Sequence, residues 1–177
     1  MATLGHVAVG LLAGRCFQRS EKSGATPPPR NLGASMLLFC WLSVLPDIDV
    51  VAFCLGIAYS DPLGHRGATH SLVFALAIGV AAAASAYRRF VSSFGRLAVF
   101  CFVVIATHPL LDALTDGGLG VELFWPVSTR RFFAPFRFIP VAPIGARFLS
   151  AAGLSVALTE LVYFAPVFAI ALWPRSK

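Results

Sequence analysis

Five apolar stretches divide the chain, over residues 3–17, 32–59, 71–87, 97–114 and 148–173, separated by segments carrying charge, glycine or proline. An α-helix rises 1.5 Å per residue and needs about 17–25 apolar residues to cross a hydrocarbon core of ~30 Å. The first stretch is short by that measure. The second is long but interrupted at Leu45-Pro46-Asp47-Ile48-Asp49. Proline disfavours helical geometry at the residue before it, and two carboxylates arrive where lipid rejects them. This stretch is therefore either two half-helices or one helix ending at Pro46 followed by a separate apolar segment. The fifth contains Glu160 and Pro166, which predicts a kink and burial against neighbours. The pattern as a whole predicts an all-α, polytopic membrane protein with four to five embedded helices, one broken at Pro46, forming a single domain over 1–177.

Composition supports lipid as the solvent. The chain has 177 residues, 58% hydrophobic and only 12% charged, with a mean hydropathy of +0.80, more apolar than a soluble domain of this size requires. A net charge of +6 would raise the question of nucleic acid in a soluble protein. Here the basic residues flank apolar runs, so they are read as headgroup contacts and orientation signals, with no nucleic-acid partner. Cys16, Cys40, Cys54 and Cys101 stand singly in apolar runs and are expected to be buried packing thiols. Arg15 immediately before Cys16, with no basic segment ahead of the apolar run, argues against a lipoprotein-type cleavage site.

Charge then sets the topology. Arg15, Arg19, Lys22 and Arg30 with Pro27, Pro28 and Pro29 lie between the first two stretches, Arg88, Arg89 and Arg96 between the third and fourth, and Arg175 and Lys177 after the fifth. If the helices alternate in direction, all of these fall on one membrane face, which the positive-inside rule makes cytoplasmic. Alternation sends His6, Asp47, Asp49, His65, His70, His108 and Asp112 to the opposite, extracytoplasmic face, together with Arg66, Arg130, Arg131, Arg137 and Arg147. The expected site is a layer of helix ends at or just outside the bilayer surface.

All four histidines of the chain belong to that set. Ionisable groups at membrane depth are costly unless they pair, meet water or bind a cation, and a shared metal would relieve several at once. His108 and Asp112, four apart, share one face of a helix, and Pro109 suits the first turn of a helix starting near His108. Asp47 and Asp49 share a side only in extended backbone; they repel each other unless a metal or a shared proton lies between them. His65 and His70 bracket a turn with Gly64 and Gly67, with Thr69 or Ser71 capping the third helix and His70 on its first turn. His6 stands singly on an apolar helix. The alternatives at these positions are a helix-end histidine paired with its aspartate, a capping Asp47, and a structural His6.

Together, Gly5-His6, Leu45-Pro46-Asp47-Ile48-Asp49, His65-Arg66-Gly67-Ala68-Thr69-His70-Ser71, and His108-Pro109-Leu110-Leu111-Asp112 followed by glycines and Trp125-Pro126 resemble the YdjM-like family of membrane-bound, metal-dependent hydrolases, from about His6 to Arg131. That family is grouped with zinc-dependent phospholipase C and the P1-type nucleases. The resemblance implies His6, Asp47, His65, His70, His108 and Asp112 as metal ligands, with Asp49 a ligand or a partner behind one. A single His-x-x-x-Asp pair, where the soluble zinc enzymes have two, implies one or two divalent ions, zinc foremost. Asp49 or Asp116 would accept a proton from the attacking water, and Arg66, Arg130 or Arg131 would hold a phosphate. The implied substrate is a phospholipid or another lipid-linked phosphoester in the inner membrane. Residues 124–147 mix arginines, phenylalanines and prolines and fit an interfacial or re-entrant lid, or more simply an aromatic belt with snorkelling arginines. Two other classes use the same residues: a metal-ion or proton transporter with Asp47 and Glu160 on its path, and a membrane scaffold with a structural metal.

Overall fold

The computed structural model describes residues 3–21, 31–90 and 93–174. Five α-helices follow one another: α1 (Thr3–Glu21), α2 (Leu32–Val44), α3 (Leu72–Phe90), α4 (Phe94–Ala113) and α5 (Ala151–Leu172), with 3₁₀ helices at Leu45–Leu55, Ala68–His70 and Gly145–Leu149. Among the described residues the only β contacts are isolated bridges, Thr115 with Ile139 and Val121 with Phe132. Of the basic belt, Lys22, Arg30, Arg175 and Lys177 lie outside the described residues, with Pro27, Pro28 and Pro29, as do the side chains of Arg19, Arg88 and Arg89.

Small residues set the helix packing. A Cβ added at Gly10 would come within 2.6 Å of the Cys40 backbone, and one at Gly14 within 2.6 Å of the Met36 backbone. The Gly10-x-x-x-Gly14 face thus lets α1 and α2 approach backbone to backbone, as small residues do between helices in lipid. Gly79 does the same for α3 against Phe102 of α4. These pairs also fix direction. α1 runs antiparallel to α2, with Gly10 opposite Cys40 and Gly14 opposite Met36. α2 runs parallel to α4, with Phe39 beside Phe100 and Ser43 beside His108. α1 runs parallel to α5, because the Gly5 amide meets Glu160 while Arg15 Nη1 donates to the Ala171 and Trp173 carbonyls at 3.0 and 2.6 Å. The alternation expected from the charge pattern is the one observed.

Arg15 brings one cationic guanidinium, donating through Nη1, to the carbonyls left open at the α5 C-terminus, which explains its burial in an apolar setting. Phe17, Phe39 and Phe100 pack around one another at 5.2–6.0 Å between ring centroids. With Leu97, Cys101 and Ile105 they form the core. Among the described residues three segments are long and apolar enough to cross a membrane, Leu32–Leu55, Phe94–Ala113 and Ala151–Leu172, with a shorter apolar helix over Leu72–Tyr87. Their outward faces are apolar and exposed, including Leu37, Trp41, Val99, Val103, Leu158 and Val162. Of the four cysteines only Cys101 is fully buried, while Cys16 and Cys54 are exposed. An apolar run predicts burial in a soluble protein, but in a bilayer half of it faces lipid.

The expected break at Pro46 is present, and two other local expectations change. At Pro46 the α-helix gives way directly to a 3₁₀ helix, with Pro46 in its first turn and Gly56 closing it at φ +74°. Pro109 does not start a helix; α4 passes through it unbroken. The donor it lacks is one bond in the last turns, where Ile105, His108 and Asp112 are fully buried and hold the helix by packing. His70 ends its own 3₁₀ turn rather than opening α3, because Ser71 Oγ accepts from Phe74 N at 3.0 Å and takes the cap.

Candidate metal centre

Alternating helices bring one end of α1, the α2 break, the turn before α3 and the last turns of α4 to a common point. Asp47, His70, His108 and Asp112 each offer a ligand atom there, all within 4.8 Å of one another. His70 and His108 are fully buried, as is Asp112, while Asp47 keeps 29% of its side chain exposed. His108 Nε2 lies 3.3 Å from Asp47 Oδ1, His70 Nε2 3.7 Å from the same oxygen, and His70 Nε2 3.5 Å from Asp112 Oδ2. Donors about 2.0–2.1 Å from a small tetrahedral ion such as zinc stand about 3.3–3.4 Å from each other. The separations are those of ligands around a common centre, and most are too long for strong hydrogen bonds.

Both ring orientations are fixed from behind. The His108 Nδ1–H donates to the Ser43 carbonyl at 2.7 Å. His70 Nδ1 lies 3.1 Å from Asp49 Oδ2. Each contact assigns the proton to Nδ1 and turns the Nε2 lone pair toward the cluster, the arrangement in which histidine ligates through Nε2. In the protein alone His70 Nε2 and both ring nitrogens of His6 are buried without a hydrogen-bond partner among the described residues. Buried orphan nitrogens cost free energy, and a cation facing them removes that cost. The residues therefore fit a metal.

The other predicted residues fall into three positions. His6 stacks on His108 at 3.6 Å between centroids and reaches within 3.6 Å of Asp112 Oδ1, at the cluster's edge. Asp49 stands behind the cluster: Oδ1 accepts from His65 Nδ1 at 2.7 Å, and Oδ2 from the Arg66 amide at 3.0 Å and from Thr69 Oγ1 at 2.7 Å. Two steps along a 3₁₀ helix rotate by about 240°, so Asp47 and Asp49 diverge and address His70 from its two nitrogens. With Asp47 and Asp49, His65 makes a second group that could hold an ion, sharing Asp47 with the first.

Among the described residues Arg66 is the largest fully buried side chain. Its Nε lies 3.0 Å from Asp112 Oδ2 and its Nη1 donates to Thr115 Oγ1 and the Gly117 carbonyl. Its φ of +62° is a left-handed conformation that a non-glycine residue adopts only when held there. Asp47, Tyr59, His65 and Arg66 form the polar wall of a cavity of about 220 Å³, while Val50, Val141, Pro143, Ile144 and Phe148 form the apolar one.

Three predicted residues are placed elsewhere. Arg131 donates to the carbonyls of His65, Tyr59 and Asp61 and pairs with Glu122 at 3.0 Å, so its guanidinium is taken up in holding the 59–65 loop. Burial raises the pKa of the Glu122 carboxyl and Arg131 opposes this. Asp116 Oδ1 accepts from Val141 N at 2.8 Å and ties the cavity's apolar wall to the end of α4. Arg130 is exposed over the Phe132 ring. Sequence reasoning gave Glu160 a part only in the transporter alternative; it is fully buried, and its Oε2 accepts from Gly5 N at 3.0 Å and fixes the start of α1 beside His6. The signal was available: a lone carboxylate in an otherwise apolar helix.

A helical, multi-spanning bundle with a buried His/Asp cluster capable of holding a metal at one end of its helices is the class of protein these features define. The chain matches the family model described as YdjM inner membrane protein over residues 1–175 and belongs to that family. It is 42% identical over 137 residues, 77% of each chain, to the inner membrane protein YbcI of Escherichia coli (strain K12). No solved structure matches it. The family, the relative's name and the three apolar spans make it a multi-pass inner membrane protein.

Proposed function

We propose that the chain is a metal-dependent hydrolase acting on a lipid-linked phosphoester, with zinc as its metal. The observation that carries this reading is the preset direction of the two histidines. Ser43 and Asp49 hold their Nδ1 atoms, so that both Nε2 atoms face Asp47 and Asp112 at ligand-to-ligand separations. Asp47, His70, His108 and Asp112 would hold one ion, with His6 beside them; Asp47, Asp49 and His65 are the candidates for a second. A bound divalent ion supplies Lewis-acid polarisation of a phosphoryl oxygen and makes water more acidic.

The chain's own residues account for the rest. Asp47 is both cluster member and cavity wall, so it marks where a substrate meets the metal layer. His65, held by Asp49, presents its ring to the same cavity and is positioned to take or return a proton there. Arg66 adds a fixed positive charge beside that space. The apolar wall from 141–148 accommodates a lipid's hydrocarbon part and restricts water. Arg15 and Arg96 lie at the helix ends opposite the cluster, which supports a site toward the extracytoplasmic side of the membrane.

The test is metal analysis of the purified protein in detergent, followed by assay against a panel of lipid phosphoesters. His108→Ala and Asp112→Asn are expected to lose bound metal and hydrolysis together. Metal-loaded protein that turns over no member of the panel, yet moves the ion across vesicle membranes, would replace this reading with transport.

A further inference from the structure

The register of the helices carries information about depth that no single residue does. One end of the bundle is marked by Arg15, whose guanidinium lies at the α5 C-terminus beside Trp173, and by Arg96 in the first turn of α4. Along α1, α4 and α5 the cluster stands less than a full membrane span from that end. Nine residues separate Arg15 from His6, twelve separate Arg96 from His108, and thirteen separate Trp173 from Glu160, the residue level with Gly5. At 1.5 Å per residue these are about 13, 18 and 20 Å, and any tilt makes the depth smaller still. A hydrocarbon core is ~30 Å thick.

We infer that the metal cluster lies inside the hydrocarbon layer, about 10–17 Å from the boundary opposite the Arg15 end, and that it receives a bilayer-resident, chain-bearing lipid sideways from the membrane rather than a soluble phosphoester from water. The lipid's part as substrate rests on the hydrolase reading; the depth does not.

Two elements independently continue past the cluster with apolar, exposed surface. α5 extends nine residues beyond Glu160 to Ala151, with Leu154 and Leu158 outward at 60% and 54% exposure. The 3₁₀ helix carries the apolar run of α2 eight residues beyond Asp47 to Leu55, with Val51 and Leu55 exposed. Water would make these surfaces costly, and hydrocarbon would not. The segment 123–149 fills the same layer. Phe138 packs on Tyr163 of α5 at 6.2 Å, which brings it to the cluster's level, and Ile144 and Phe148 line the cavity while remaining partly exposed outward. Irregular backbone at membrane depth is tolerated where it packs on protein or lines a cavity, as this segment does. Its arginines have long apolar stems that let the charged heads reach the headgroups; Arg130 and Arg137 sit over the Phe132 and Phe133 rings. The cavity therefore lies between Val50 on one lipid-facing element and Ile144 and Phe148 on another.

Cys54, exposed on the 3₁₀ helix, is a native reporter of this depth. The full chain is placed in nanodiscs of phosphatidylethanolamine and phosphatidylglycerol, which leave both faces open to water, and treated with a charged maleimide read by peptide mass. Cys54 is expected to stay unmodified until detergent replaces the lipid, whereas a Ser60→Cys reference in the polar turn reacts in the nanodisc. A spin label at Leu158→Cys is expected to collide with oxygen more than with a water-soluble nickel chelate. Reaction of Cys54 at the rate of the Ser60→Cys reference, or a label at 158 more accessible to nickel than to oxygen, would overturn the intramembrane placement. Neither readout depends on hydrolysis, so failure of the depth and failure of the hydrolase reading remain separate results.

Discussion

Glu160 Oε2 accepts the amide hydrogen of Gly5 at 3.0 Å, one residue before His6, across the packed faces of α5 and α1. An anionic acceptor at a helix N-terminus satisfies a donor that the helix cannot pair itself and opposes the positive end of its dipole. Through this contact the fifth helix, which contributes no ligand candidate, sets where the first one begins. Glu160→Ala removes the acceptor from a buried amide, a loss of about 1–3 kcal/mol, and frees the His6 end of α1. The expected result is a lower unfolding temperature in detergent and a lower metal-to-protein ratio, with Glu160→Gln, which keeps an acceptor, close to the parent in both. An alanine variant with parental metal content would mean that α1 is positioned by its other contacts alone.

The helix count, the break at Pro46 and the meeting of His6, Asp47, His70, His108 and Asp112 were legible in the sequence because each depends on spacing and on alternation of direction. Which polar atom faces which was not. Arg131 was a reasonable phosphate ligand by residue type, yet the carbonyls of Tyr59, Asp61 and His65 and the Glu122 carboxylate meet its guanidinium. Those partners come from loops whose course has no periodic signature. The Ser43 carbonyl behind His108 is a backbone group at a helix end, and no residue type announces it. Asp116 four places beyond Asp112 looks like another acid of the site, but the chain leaves α4 at Ala113 and turns its carboxylate to Val141.

Asp49 and Asp116 can be separated experimentally. Asp49 gathers His65, the Arg66 amide, Thr69 and His70 around its two oxygens, and groups that orient a ligating histidine typically govern metal affinity about 10–100-fold. Asp49→Asn should therefore weaken metal binding within that range, measured by competition with a chromophoric chelator. Asp116→Asn should leave it unchanged. Equal effects would contradict the different positions given to the two carboxylates.

The α1–α2 contact offers a test of packing away from the cluster. At Gly10 an added methyl meets the Cys40 backbone at 2.6 Å, whereas at Gly95, in the first turn of α4, it meets nothing within 4 Å. Overpacking a close contact costs about 1–3 kcal/mol, while alanine is favoured over glycine in an open helical position by roughly 1 kcal/mol. Gly10→Ala is expected to lower the unfolding temperature and Gly95→Ala to leave it unchanged or raise it. A tolerated Gly10→Ala would show that α1 and α2 can separate without loss.

Arg66 joins the strained turn before α3 to the cluster, since its backbone amide bonds Asp49 while its side chain reaches Asp112, Thr115 and Gly117. Lysine keeps the charge but has no planar fork with which to meet Asp112 from Nε and Thr115 from Nη1 together. Removing one member of a buried ion pair costs about 3–5 kcal/mol because the other charge stays buried. Arg66→Ala is thus expected to be strongly destabilising, and Arg66→Lys to recover stability only in part, both read from thermal unfolding in detergent. If the same arginine also holds a phosphate in the cavity, Arg66→Lys should raise the KM for a phosphoester more than it lowers kcat, a split that a purely structural part would not produce. Full recovery of stability by lysine would show that charge, rather than the geometry of the guanidinium, holds Asp112 in place.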